Sequence, residues 1–135
     1  MFDIIENVLK VATSLLDLFK GASALSRERM DKLADLLQRI SETLSAVSAS
    51  VRTGHIPHGE CGKLITYSEE LPKLIKGHVT DQKADELGDL LRSSYAVERL
   101  AGALAAIEDR DPHLAKLDEA AGKFSALSHI LRAKA

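Results

Sequence analysis

Apolar residues in the first twenty positions fall on three adjacent heptad rows, and the width of that stripe limits what this chain can fold into. Met1, Ile4, Val8, Val11, Leu15 and Leu18 alternate at spacings of three and four, the mark of a helix seam. Phe2, Leu9 and Leu16 repeat every seven on one side of it, and Ile5, Ala12 and Phe19 on the other. At about 100° per residue the rows cover an arc of about 160°, with Asp3, Glu6, Asn7, Lys10, Thr13, Ser14, Asp17 and Lys20 on the remainder. So wide a stripe needs more than one partner surface. The helix is either a central member of a bundle or an element that can leave the bundle for a lipid or protein surface.

The remaining segments supply the partners. Ser26 is a candidate N-cap, and from Met30 through Leu33, Leu37, Ile40, Leu44 and Val47 to Val51 the three–four alternation continues without a break. Beside that seam Ala34, Ser41 and Ser48 repeat every seven, small enough to let a neighbouring backbone come close. The helix is expected to stop at Thr53 and Gly54, followed by a loop over His55-Ile56-Pro57-His58-Gly59-Glu60-Cys61-Gly62. A third helix carries Leu64, Ser68, Leu71 and Ile75 on one face; Pro72 inside it predicts a kink or break near Glu70 and Leu71, and Gly77 closes it. Thr80 caps a fourth helix with Leu87, Leu90, Leu91, Val97, Leu100, Leu104 and Ile107, and Asp111-Pro112 starts a fifth with Leu117, Ala120, Phe124, Leu127 and Leu131. No strand alternation competes.

The expected fold is an all-α antiparallel bundle of four to five helices, near 2–20, 27–53, 60–76 with the kink at Pro72, 81–109 and 112–132. With 135 residues it forms one domain, 1–135, large enough for a core without a disulfide or metal staple. There is also a trace of internal duplication. Asp31-Lys32-Leu33-Ala34-Asp35-Leu36-Leu37 parallels Asp85-Glu86-Leu87-Gly88-Asp89-Leu90-Leu91, with Phe19-Lys20-Gly21 ahead of one copy and Ile75-Lys76-Gly77 ahead of the other. Both copies match a Leu-x-x-Leu-Leu docking pattern, although the core needs those leucines.

Charge and composition narrow the function. Eighteen Lys and Arg against twenty Asp and Glu leave a net charge of −2, and there is no Trp, so nucleic acid is not an expected partner. The single Cys61 cannot form an internal disulfide, Asp3 and Glu6 stand where a secretory leader carries positive charge, and no apolar run is long enough for a transmembrane helix. A cytoplasmic location follows as the expectation. His55, His58 and Cys61 at spacings of three, with Glu60, are weak candidates for a nitrogen–sulfur metal site that lacks a fourth strong ligand. Glu-x-x-His pairs, a Gly-x-Ser-x-Gly turn and phosphate-cradling glycine loops are missing, so neither an enzyme nor a cofactor is expected. Ser41, Ser45, Ser48 and Ser50 are candidate phosphorylation sites of the ordinary helix-packing kind.

Two resemblances bear on function. His113-Leu114-Ala115-Lys116, with Gly122 beyond, resembles the phosphorylatable His and following Lys of histidine phosphotransfer domains, but Leu117 stands where that family has Gly. The number and order of helices resembles the N-terminal killer bundles of necroptosis-type and fungal incompatibility proteins. That resemblance implies a membrane-active effector inserting residues 1–20, on a helix whose polar face lacks the Lys and Arg excess of interfacial helices. The expected function is a protein–protein interaction or self-assembly module, its partner another protein or itself. Phe2, Ile5, Leu9, Leu16, Phe19 and Leu36 are the candidate interaction or membrane residues.

Overall fold

The computed structural model describes residues 3–20, 25–55, 58–92 and 111–134, without the side chains of Asp3, Ile4, His58 and Cys61. Among the described residues there are five helices: α1 (Asp3–Leu18), α2 (Arg27–Arg52), α3 (His58–Ile75), α4 (Asp81–Arg92) and α5 (Asp111–Lys134). No strand accompanies them, and the chain folds as an all-α helical bundle. The predicted caps hold the starts in place. Ser26 Oγ accepts from the Arg29 N–H at 3.3 Å, and Thr80 Oγ1 from the Lys83 N–H at 3.2 Å. Gly54 (φ 81°) and Gly77 (φ 97°) take the left-handed conformation just beyond α2 and α3, where an L side chain is strained.

Each helix packs chiefly on two others, in the circuit α1–α5–α2–α3–α4 and back to α1. Side-chain bonds fix the directions. Ser128 Oγ donates to Ala34 O and Ser41 Oγ to Ala121 O, both at 2.7 Å, so residue numbers rise on α2 as they fall on α5 and the pair is antiparallel. Glu6 pairs with Lys116, and Lys123 Nζ donates to Thr13 Oγ1 at 3.1 Å, so α1 and α5 run parallel. On the other side Arg29 Nη2 donates to Lys73 O at 2.7 Å, and Lys76 reaches Asp85 at 3.9 Å, which makes α2–α3 and α3–α4 antiparallel. A closed circuit of five cannot alternate up and down throughout. One neighbouring pair must be parallel, and here it is α1 with α5.

The heptad of small residues on α2 does what its spacing predicts. Ala34, Ser41 and Ser48 are buried, and the two hydroxyl-to-carbonyl bonds between α2 and α5 form only because Ala34 and Ser41 face Ser128 and Ala121 across a close helix contact. On α1 the buried side chains are Ile5, Val8, Val11, Ala12, Leu15 and Phe19, while Leu9, Leu16 and Leu18 are half-buried at the margins. The full stripe is used: its centre lies in the core and its edges lie along the neighbours. The carbonyls at the end of α1 meet donors from elsewhere, His78 Nε2 on Leu18 O at 2.5 Å and Lys134 Nζ on Phe19 O at 2.9 Å, and Phe19 stacks on His78 with centroids 4.1 Å apart.

Two expectations need correction. The loop drawn over His55 to Gly62 is shorter, because α3 begins at His58; Gly59, Glu60 and Gly62 belong to its first turns, where the helix dipole favours Glu60. Of the kink or break expected at Pro72, the break does not occur, and α3 continues through it as one helix. Pro72 lies in the last turn, so only Ser68 O loses its i+4 donor, and the ring instead packs on Gly88 of α4. A Cβ at Gly88 would stand 2.5 Å from Pro72 Cγ and 3.0 Å from Ser68 O. The predicted α4 reaches to residue 109, and its part from 93 to 109 lies outside the described residues.

Candidate functional site

A recess with an apolar part lies between α2 and α3. Two depressions that share Arg39 run along this seam, one of about 290 Å³ beside Leu36 and Leu74 and one of about 150 Å³ beside Thr43, Ala46 and Tyr67. Both helices contribute at heptad spacing. Leu36 and Thr43 lie seven apart on α2, as do Lys32, Arg39 and Ala46; Glu60, Tyr67 and Leu74 do so on α3. From Lys32 to Ala46 the groove follows fourteen residues of α2, about 21 Å at 1.5 Å per residue, the length of a four-turn helix.

Charge frames this floor. Lys32, Arg39, Lys63 and Lys73 alternate with Asp35, Glu42, Glu60 and Glu70 along the rims. Two of these are drawn outward, Lys32 to Glu28 at 3.2 Å and Asp35 to Arg132 of α5 at 2.5 Å. Leu74 and Tyr67 are half-buried and Leu36 is 3 % exposed, so the apolar floor is shallow and already supported by the core beneath. A larger depression between α3 and α4 has Pro72 and Gly88 in its floor and is walled by Ser68, Glu69, Lys73, Lys76, Asp85, Asp89 and Arg92.

The candidate residues of the sequence are dispersed by the fold. Ile5 and Phe19 lie in the core, Leu9 and Leu16 at its margin, and Phe2 outside the described residues. Leu36 alone joins a concave surface. In the Leu-x-x-Leu-Leu segments Leu33, Leu36, Leu37, Leu87 and Leu91 are buried and Leu90 half-buried, so both serve packing. His55 is exposed, with Nδ1 2.9 Å from Thr53 Oγ1; the His58 and Cys61 side chains lie outside the description, and no cluster of three metal-binding side chains occurs among the described residues. His113 is half-buried in the first turn of α5, and Lys116 is engaged by Glu6. Ser41 and Ser48 are buried, Ser45 is exposed.

Of the charged groups, the Arg52 guanidinium is held above its ordinary value, first by its hydrogen bond to the Asp118 carboxylate at 2.8 Å, which outweighs the opposing desolvation, with further help from the fields of Asp118 and Asp111. That pair ties the end of α2 to α5. The groove itself was missed in the sequence because its floor is shared by two helices. The Leu36–Thr43 row on α2 reads as the edge of a core stripe until the Tyr67–Leu74 row of α3 is set beside it. No described helix is long and apolar enough to cross a membrane. Comparison with family models, with curated proteins and with solved structures finds no match for the chain.

Proposed function

We propose that this protein is a non-enzymatic, cytoplasmic interaction module whose α2–α3 groove receives an amphipathic helix from another protein. The observation that carries the reading is the groove itself: helix-length, apolar at its Leu36–Leu74 end, more polar beside Thr43 and Tyr67, and charged along both rims. A third helix laid there would set apolar residues at i, i+3, i+4 and i+7 over Leu36, Tyr67 and Leu74 and mixed charges opposite Arg39, Lys63, Glu70 and Lys73. No cofactor, metal or nucleic acid enters this reading.

The energetics of α1 favour this over the insertion of residues 1–20 into a membrane. Lifting α1 away exposes six buried side chains, at roughly 1.5–3 kcal/mol for each large one, or on the order of 10 kcal/mol together. That is comparable to the whole stability of an ordinary domain, about 5–15 kcal/mol.

The test is selection of helical peptides from a displayed library on the parent protein, with counter-selection on an Arg39→Glu, Lys73→Glu variant, both positions being exposed. Enrichment of amphipathic helices that lose binding to the variant is the expected result. Enriched peptides indifferent to both substitutions would refute the groove. Dye release from anionic vesicles that disappears on deletion of residues 1–20 would instead establish the membrane-active reading.

A further inference from the structure

The depression between α3 and α4, about 570 Å³, owes its floor to one close helix contact. Pro72 and Gly88 meet there, and the approach leaves no room for a side chain at Gly88. The same proline deprives Ser68 O of its i+4 donor, and this carbonyl lies 3.0 Å from where a Gly88 Cβ would stand. Ser68 itself lines the recess, so a backbone acceptor without its helical partner borders the floor.

The antiparallel register sets opposite charges across this recess. At one end Lys76 reaches Asp85 at 3.9 Å. One turn along, Lys73 of α3 stands opposite Asp89 of α4, and a turn beyond that Glu69 stands opposite Arg92. These four form a rectangle with the cations on one diagonal and the carboxylates on the other. Among the described residues none of the four side chains closes an ion pair, across the recess or along its own helix. Elsewhere in this protein charges three or four apart on a helix do pair: Asp17 with Lys20 at 3.0 Å, Glu28 with Lys32 at 3.2 Å, and Lys83 with Glu86 and Glu119 with Lys123 at 3.8 Å. Glu69 with Lys73 and Asp89 with Arg92 have the same spacings and stand open around the recess. Exposed pairs contribute little to stability, so leaving these unmade costs the fold little.

We propose that the α3–α4 recess binds a small zwitterion of the α-amino-acid class. Its carboxylate would sit between Lys73 and Arg92 and its ammonium between Glu69 and Asp89, with Ser68 O as a further acceptor for an ammonium N–H. A lone anion or a lone cation has one diagonal in its favour and the other against it, whereas a molecule carrying both charges satisfies both. The Pro72 ring gives the aliphatic part of the ligand an apolar floor. This site is separate from the α2–α3 groove, with Lys73 on the crest between them, and stands whether or not the groove binds a helix.

The test is titration of the isotope-labelled full chain with single L-amino acids at millimolar concentration, followed by amide shifts in NMR. Saturable shifts around Glu69, Lys73 and Asp89 with at least one of the common amino acids are expected. Acetate and ethylamine, each carrying half of the ligand's charge, should bind about tenfold more weakly or less, as should glycine betaine, which has no N–H for Ser68 O. Arg92→Gln and Asp89→Asn, at exposed positions, should each weaken binding by about tenfold or more with thermal stability retained, whereas Arg39→Gln in the α2–α3 groove should leave it unchanged. No saturable shift with any amino acid, equal binding of acetate, ethylamine or betaine, or binding indifferent to the Arg92 and Asp89 substitutions would each overturn the proposal.

Discussion

Gly88→Ala isolates one close contact and reverses a familiar rule. In an open helix interior alanine is favoured over glycine by about 1 kcal/mol. At Gly88 the new methyl would lie 2.5 Å from Pro72 Cγ, 3.2 Å from Pro72 Cδ and 3.0 Å from Ser68 O, so α4 must back away from α3 or the ring must shift. Overpacking of this kind costs about 1–3 kcal/mol, and the upper part of that range applies because one of the three obstacles is backbone. The net expectation is a loss of about 1–2 kcal/mol by urea denaturation followed by helical circular dichroism. Two controls sharpen it. Gly122→Ala, with nothing within 4 Å of the added carbon, should gain about 1 kcal/mol. In a Pro72→Ala background Gly88→Ala should become neutral or stabilising, a coupling of about 1–3 kcal/mol in the double-mutant cycle. If Gly88→Ala stabilises the parent as much as Gly122→Ala does, the Pro72 contact does not hold α4 where it is described.

Four further outcomes can be checked in the same denaturation assay. Leu37→Ala and Leu44→Ala, both fully buried, should each cost about 2–5 kcal/mol, and parent-like unfolding with lost association would place them on a partner face instead. Ser128→Ala should cost about 0.5–1.5 kcal/mol for the lost bond to Ala34 O, whereas Ser128→Leu should cost more by forcing α2 and α5 apart. Asp118→Asn should cost no more than about 1 kcal/mol, with the loss shrinking at high salt, since both members of its pair with Arg52 are substantially exposed. Because the Arg52 value is raised on folding, its contribution is fully present below the unfolded value and lost only as pH rises through the folded one, so this pair adds no slope to stability near neutrality.

What could be read in advance depended on whether one helix carried the information. The seam from Met30 to Val51, the caps at Ser26 and Thr80, and the stops at Gly54 and Gly77 are local, so spacing and turn chemistry sufficed. The heptad of Ala34, Ser41 and Ser48 even announced a close neighbour, although not that the neighbour was α5 or that its Ser128 would return the bond. Pro72 misled because helix propensity is indifferent to what lies opposite; the ring's partner, Gly88, stands on another helix. The two glycines of the His55–Gly62 stretch misled similarly, since the first turns of a helix tolerate them. Concave surfaces fared worst. A groove takes its floor from two elements at once, and neither Leu36 nor Leu74 declares by its own spacing that the other will stand beside it.

The parallel pairing of α1 with α5 bears on the order in which the chain can assemble during synthesis. Glu6 and Lys116 are 110 positions apart, as are Thr13 and Lys123, and the other principal neighbour of α1, α4, is also remote in sequence. At roughly 5–20 residues per second α1 therefore emerges on the order of ten seconds before its main partner is made. During that interval Val8, Val11, Leu15 and Phe19 have no permanent cover, and α1 is among the last of the described helices to be housed. Premature termination before Asp111 would leave the α1 face that packs on α5 open to chaperones, proteases or other nascent copies.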